Sequence, residues 1–459
     1  MRVGLDFGTT NSSAAVVVGG RVQMLALDPV NSAPTIMRSA LFITRDGTPF
    51  IGREAINRFT EANVGREIVY EQRYIGETEV TLADVGTIMQ SLYAVVDANE
   101  PGRLFQSLKS HLRDASFTST DVFGTRYTLE QLIALALRMI LERIEGLVGA
   151  PVSGMVIGRP VHYASDPQRD ALAIRRMRRA CQIAGLPPFV FLPEPTAAAL
   201  AYAATVEQEQ HILVFDFGGG TLDVTVMRID PRGRREVLAT DGVPVGGDLL
   251  DRRIMMGKLL PHFGAGATLG PRRLPFPAII HEHLVEWQSI VDLNQPRYLK
   301  TIEDGIATSD KPNELRALRT LVRENYGLPL YEEVERAKVR LSDVRATTIR
   351  MDVPGIRFEE PLERWDFERL IGPDVREVAA CVDRAVAAAG LAPREIDVVL
   401  RTGGSSRIPR FVRMLAERFG EEKLREMDVF TGVASGLGIA AADDAAWERL
   451  AAEDSAMVR

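Results

Sequence analysis

Residues 215–226 read Phe-Asp-Phe-Gly-Gly-Gly-Thr-Leu-Asp-Val-Thr-Val, and few local sequences restrict a fold so narrowly. The apolar run His211–Phe215 reaches a carboxylate, Asp216, turns on Gly218, Gly219 and Gly220, and leaves through alternating apolar residues. This is the pattern of a β-hairpin. One or two glycines suffice for a turn with positive φ. Three in a row followed by Thr221 leave bare backbone N–H groups that phosphate oxygens can approach. Asp216 beside such a turn would repel a phosphate unless Mg²⁺ or its water shell lay between them. The alternative is a tight hairpin with a structural role only.

The stretch has an echo near the N-terminus. Val3 to Val18 again runs apolar strand, Asp-Phe-Gly (Asp6, Phe7, Gly8), a small hydroxyl-rich turn of Thr9, Thr10 and Asn11, and a second apolar strand. Two copies this far apart are not a solenoid repeat. They fit two similar lobes that each lend a phosphate hairpin to a shared cleft.

The rest of the chain is consistent with an α/β protein. Thr35 to Gly124 is mixed, with a strand at 39–44, a helix at 53–60 and little periodicity at 63–101. Thr128-Leu-Glu-Gln131 is a capping box opening an apolar helix to Gly149, and 155–158 is a short buried strand. Asp166-Pro167 is the N-cap and first residue of a helix ending near Gly185, followed by a strand at 189–192 and the segment Glu194–Tyr202. Val243-Pro-Val-Gly-Gly-Asp248, with Gly246 and Gly247, precedes a helix. Residues 262–330 are irregular, with amphipathic helices expected at 281–293 and 313–325. Helices at 330–343 and 366–389, a β run at 396–400 and a last helix from Val433 complete the chain. Alternating strands and helices of this length indicate α/β layers.

At 459 residues the chain can form about three domains. Its net charge of -7 argues against a nucleic-acid partner, which needs a concentrated positive field. Arg175, Arg176, Arg178 and Arg179 read as a solvated helix face. Only two cysteines occur, Cys181 and Cys381, both in helical patterns, so buried thiols are expected rather than a disulfide framework or a cysteine metal site. No apolar run is long enough to span a bilayer, and a cytosolic protein with no membrane partner is the expectation. Gly257-Lys258 is followed by Leu259 and is no Walker loop; His281-Glu-His283 lacks zinc-helix spacing.

Five ordered stretches, LDFGTTNS, LPEPTAAALAY, FDFGGGTLDV, ERAKVRLS and TGGSSRIP, closely resemble the nucleotide-binding domain of the DnaK-type heat-shock chaperones, within the actin-like ATPase superfamily. The likeness covers nearly the whole chain, with departures at about 63–104 and 262–330. It implies a two-lobed actin-like fold of duplicated ribonuclease H-like domains with two inserted subdomains: lobe I at 1–205 (insert about 37–124), lobe II at 206–430 (insert about 249–364), and a C-terminal helix at 431–459 returning to lobe I.

The resemblance also implies a site for ATP/ADP with Mg²⁺. Gly8, Thr9, Thr10 and Asn11 on one side, and Gly218, Gly219, Gly220 and Thr221 on the other, would hold the phosphates, with Gly246 and Gly247 nearby. Asp6 and Asp216 would hold hydrated Mg²⁺. Glu194 and Lys109, with Asp216 and Thr221, would orient the attacking water and offset charge. Glu335, Lys338 and Ser342 fall on one helical face that in the family meets the adenosine. Gly403 and Gly404 would let a purine lie against backbone beside Ser405, and Arg407 would stack on it. Val339 stands where the family usually has an arginine, and Phe430 stands near a family aspartate. Both departures bear on adenine affinity.

Three functions fit: a slow chaperone-type ATPase, a small-molecule kinase of the same superfamily, or a nucleotide-sensing scaffold with little hydrolysis. ERAKVRLS and EPTAAALAY favour the first. The resembled chaperones carry an apolar linker and a peptide-binding β-domain after this region, and the expectation is that neither follows here. Pro160 and Arg169 match relay positions to that linker. The segment 262–330, with Phe276 and Trp287, is the expected surface for a separate protein partner or co-chaperone.

Overall fold

The computed structural model describes residues 1–82, 86–164, 166–203, 206–231, 235–427 and 432–458, without the side chains of 75–82, 86–95, 203 and 454–458. The N-terminal alternation produces β1 (Arg2–Phe7) and β2 (Asn11–Val18), paired antiparallel, with β3 (Arg21–Met24) beyond β2. On the other side of β1, β4 (Gly154–Arg159) and β5 (Phe189–Pro193) add in parallel, giving the order β5-β4-β1-β2-β3. The second sheet contains β6 (Gln210–Phe217), β7 (Leu222–Ile229), β8 (Arg235–Val243), β9 (Val398–Thr402) and β10 (Leu424–Glu426). Its order, β8-β7-β6-β9-β10, repeats the first strand for strand, with an antiparallel hairpin and then two parallel strands. The echo in the sequence is therefore an echo in topology.

Parallel strands need crossovers, and the helices supply them. α1 (Leu129–Val148) opens on the Thr128/Gln131 capping box and stops at left-handed Gly149. α2 (Pro167–Ala184) opens on Asp166, whose carboxylate accepts from the Arg169 amide at 2.9 Å, and stops at left-handed Gly185. Their apolar faces close one core on the first sheet, including Leu132, Leu137, Ile140 and Met177. Of the basic run on α2, Arg175 and Arg179 are exposed as expected. Arg176 is not. It donates to the carbonyls of Asp114 and Phe117 and pairs with Glu130, while Arg178 lies over Phe189 and Phe191.

α3 (Glu194–Ala203) and α4 (Gly432–Ala442) build a second core that takes Val156 and Val190 from the first sheet and Ile212, Val214, Val398 and Leu400 from the second. Small residues make this possible. A Cβ on Gly436 would sit 1.7 Å from the Ala197 carbonyl oxygen, and one on Gly4 would sit 2.2 Å from the Gly438 nitrogen. Backbone cannot yield as a flexible side chain can, so Gly436→Ala is expected to cost about 2 kcal/mol or more. Urea denaturation with an unchanged midpoint would contradict this packing.

Contacts divide the chain into two compact units: Met1–Arg58, Leu104–Leu250 and Arg364–Arg459 form one, Phe59–Arg103 and Asp251–Glu363 the other. Both sheets belong to the first. The second contains a hairpin of Tyr70–Leu82 with Gly86–Asp97, helices including Pro296–Thr308, Pro312–Arg323 and Gly327–Asp343, and a hairpin of Ala346–Val353 with Ile356–Glu363.

Three expectations are corrected here. The supposedly aperiodic 63–101 contains the two long strands just named. The helix expected at 281–293 is a series of short turns, because Glu286 takes an extended backbone (φ -134°, ψ 128°) in its middle. The helix expected at 366–389 is two, Arg364–Leu370 and Gly372–Ala388, with Pro373 starting the second. Phe276 is buried within its own unit, while Trp287 is partly exposed. Phe276 is 5% exposed and covers Gly305, and Trp287 packs edge-on against Phe59. Among the described residues no helix is long and apolar enough to cross a membrane, and Cys181 and Cys381 are both buried.

Candidate functional site

Asp6 and Asp216 occupy equivalent places, each one residue before the end of the strand that enters its hairpin. β4 lies between β1 and β5, with Leu5 beside Ile157 and Arg159 beside Pro193, so Asp6 and Glu194 emerge at one edge of the sheet. That is the carboxyl edge, where open α/β sheets bind ligands. Lys109 arrives on the 3₁₀ turn Leu108–Arg113, and its Nζ donates to Glu194 Oε1 at 2.6 Å. The pair is nearly enclosed, with side chains 7% and 14% exposed.

The two hairpin turns meet. A Cβ on Gly219 would lie 2.0 Å from Thr10 Oγ1, and one on Gly220 would lie 3.4 Å from Thr9 Cγ2. None of Gly218, Gly219 and Gly220 has positive φ, and it is at Gly219 that close approach, by Thr10, excludes a side chain. The back of the turn is fixed by neighbours. Gly247 N–H donates to the Gly218 carbonyl at 3.1 Å, Asp248 N–H to the Gly219 carbonyl at 2.8 Å, and Ser405 Oγ to the Gly218 carbonyl at 3.0 Å. A Cβ on Gly246 would strike the Gly219 carbonyl oxygen at 2.2 Å, and Gly403, at φ 78°, passes 2.3 Å from the Phe217 carbonyl oxygen by the same measure. A Cβ on Gly8 would lie 2.2 Å from the Asn11 carbonyl oxygen, and the Gly8 carbonyl accepts from Ser39 Oγ at 2.8 Å. The front is left open. Among the described residues the amides of Gly219 and Gly220 meet no acceptor, and Thr10 Oγ1 is buried without a partner.

The carboxylates outnumber their counter-charges. Asp216 faces Asp223 directly across the β6–β7 hairpin. Burial, then Glu194, pushes Asp216 up to about 6, against a 2.9 Å hydrogen bond from Thr402 Oγ1 and the pull of Lys109. Burial, then Asp216 and Glu194, pushes Asp223 up to about 7, although Thr221 Oγ1 donates to it at 3.1 Å. Asp6 is raised well above the carboxylate range by burial and by Glu194 and Asp216, with Lys109 opposing. For Lys109, burial opposes the charged form, but Glu194, Tyr163 and Asp6 outweigh it and hold the ammonium above its usual value. Among the described residues no cluster of three or more His, Cys, Asp or Glu could hold a metal alone. Mg²⁺ does not ask for one: it takes one or two carboxylates, keeps several waters and completes its shell with phosphate oxygens. Unbonded amides, an orphaned threonine hydroxyl and under-compensated carboxylates together fit a magnesium polyphosphate.

The remaining expected residues are placed differently. Arg407 is half-exposed, and its Nε pairs with Glu426 Oε1 at 3.2 Å. Gly404 opens the 3₁₀ turn Gly404–Arg407, so TGGSSR braces the Asp216 hairpin through Thr402, Gly403 and Ser405. Glu335, Lys338 and Ser342 lie in the other unit, on the helix Gly327–Asp343. There the Lys338 ammonium is buried and donates to Asp251 Oδ2 at 2.6 Å, so it is engaged inside its unit, while Val339 is 57% exposed. Phe430 lies outside the described residues. Sequence reasoning missed Asp223, although a four-residue turn at 218–221 places it opposite Asp216.

The sequence profile described as Hsp70 protein matches residues 2–264 and 323–445. The chain belongs to the Hsp70 family. Its α/β fold is accordingly that of the actin-like ATPases. Among curated relatives, the chaperone protein DnaK of Thermus thermophilus is 30% identical over 448 residues, covering 96% of this chain and 60% of that protein. The heat shock 70 kDa protein BIP3 of rice (Oryza sativa subsp. japonica) is 33% identical over 427 residues, covering 91% of this chain and 52% of that protein. The chaperone protein dnaK3 of Synechococcus elongatus is 29% identical over 447 residues, at 96% and 49%. This Hsp70-family chain thus spans about half to three-fifths of the length of these relatives. The stretch the family profile skips, 265–322, falls inside the 262–330 departure, whereas 63–104 lies within the match.

Proposed function

We propose that this chain binds Mg-ATP and hydrolyses it slowly to ADP and phosphate, as a chaperone-type ATPase. The observation that carries this is the meeting of the Thr10 and Gly219 turns beside the Lys109–Glu194 pair. The Gly8–Asn11 and Gly218–Thr221 turns hold phosphate oxygens through N–H groups and the Thr10 hydroxyl. Gly246 and Gly247 keep the second turn in place. Asp6 and Asp216, with Asp223 behind them, hold the cation, which when bound offsets the phosphate charge. Lys109 and Glu194 orient the attacking water. Its oxygen forms a bond to the γ-phosphorus as the bond to the β–γ bridging oxygen breaks; that oxygen leaves on ADP with the electron pair, and the proton passes to solvent. Turnover is slow because the water-orienting groups, Glu194 and Lys109, are tied to one another at 2.6 Å, so neither is a free base.

For Glu335, Lys338, Ser342, Gly403, Gly404, Ser405 and Arg407, an adenosine role rests on family membership. The lobe boundaries at 205 and 430, a cytosolic location and a separate protein partner are likewise proposals. Calorimetry is the test. ATP affinity is expected to fall by more than about tenfold when EDTA replaces Mg²⁺, and equal affinity without metal would overturn the reading.

A further inference from the structure

Tyr163 follows β4, the strand between β1 and β5, by four residues and lies in the loop that leaves its carboxyl end. Its backbone is held twice: the N–H donates to Asp170 Oδ1 at 2.6 Å, and the carbonyl accepts from Arg113 Nη1 at 3.2 Å. Arg113 closes the same 3₁₀ turn that carries Lys109, so one short element fixes both residues. The ring belongs to the first core and is 9% exposed. Its hydroxyl is buried and has no hydrogen-bond partner among the described residues. Phenylalanine would fill this place without leaving a polar atom unsatisfied, and buried hydroxyls ordinarily find partners. The hydroxyl also feels the ion pair: burial is the main reason its ionisation is pushed up, with Lys109 pulling it down and Glu194 raising it.

We propose that the Tyr163 hydroxyl positions the attacking water, completing with Lys109 and Glu194 a three-sided hold on it. The phenol keeps its own proton throughout and supplies one hydrogen bond. This rests on the ATPase reading and assigns that site a residue absent from the motifs that suggested it.

The test is Tyr163→Phe in the full chain, read in three ways. Single-turnover hydrolysis is expected to slow about tenfold, the loss of one hydrogen bond in the transition state. Mg-ATP affinity should stay within about twofold, since the loss falls on the chemical step. The melting temperature without nucleotide should hold or rise, because an unsatisfied hydroxyl has gone. An unchanged rate overturns the inference, and so does a lower melting temperature, which would make the hydroxyl a structural donor. A parent chain with no turnover overturns the ATPase reading and this inference with it; a parent that turns over and is matched by Tyr163→Phe overturns the inference alone.

Discussion

In single-turnover assays, Lys109→Ala is expected to hydrolyse bound ATP about 10²- to 10³-fold more slowly than the parent chain. In-line transfer to water asks the protein to orient the nucleophile and offset charge, and in the proposed reaction Lys109 would do both. It is the cation that opposes the raised pKa of Asp6, Asp216 and Asp223 alike, and it holds Glu194 at 2.6 Å. Removing one partner of an enclosed pair also destabilises, by about 3–5 kcal/mol where the remaining charge stays buried. Lys109→Met, which keeps the stem, and a parallel measurement of Mg-ATP affinity separate lost chemistry from lost structure. If hydrolysis survives in both variants, the water-orienting cation is some other residue.

A second large effect is expected from pH in the metal-free protein. Asp216 and Asp223 titrate near 6 and 7, and Asp6 higher than an ordinary carboxylate, against about 3.8 for an aspartate in solvent. Across that window the folded state binds more protons than the unfolded one, so stability falls as pH rises, and the loss is complete above the folded values. In EDTA without nucleotide, the melting temperature should therefore decline from pH 5 to pH 8. Asp6→Asn or Asp216→Asn should flatten the decline, since a neutral amide removes one of the repelling charges. Mg-ATP should raise the curve most at its alkaline end. Parallel curves for parent and variants would show that these carboxylates do not repel one another as the structure requires.

Much of this was legible because it is local. Capping at Thr128 and Gln131, Asp166 and Pro167, and the stops at Gly149 and Gly185 depend on a few adjacent residues, and each formed where the sequence indicated. The hairpins were equally visible from alternation around Asp6 and Asp216. The reason for the three glycines was not. The missing side chain at Gly219 makes room for Thr10, two hundred residues away, and the one missing at Gly246 makes room for the Gly219 carbonyl, neither of which a window of sequence reveals. The strand Tyr70–Leu82 was hidden because Glu-Gln-Arg and Glu-Thr-Glu interrupt its apolar alternation. Lys338 shared a helical face with Glu335 and Ser342 as the 3.6 period demands, but periodicity could not foresee that Asp251 would claim its ammonium. Tyr163 carried no motif; only the unsatisfied hydroxyl in a packed core marks it.

The close fit of α4 on β1 sets a clock on biosynthesis. Gly4 leaves the ribosome early, while Gly438, whose nitrogen presses on it, is made 434 residues later. At about 5–20 residues per second the wait is roughly 20–90 s. During that interval the first hairpin can pair with itself and accept β4 and β5 as they appear, but the face that α4 covers stays bare. Throughout that interval the nascent chain carries a wet apolar strip on this sheet, and the first hairpin is enclosed only once Gly438 has been made.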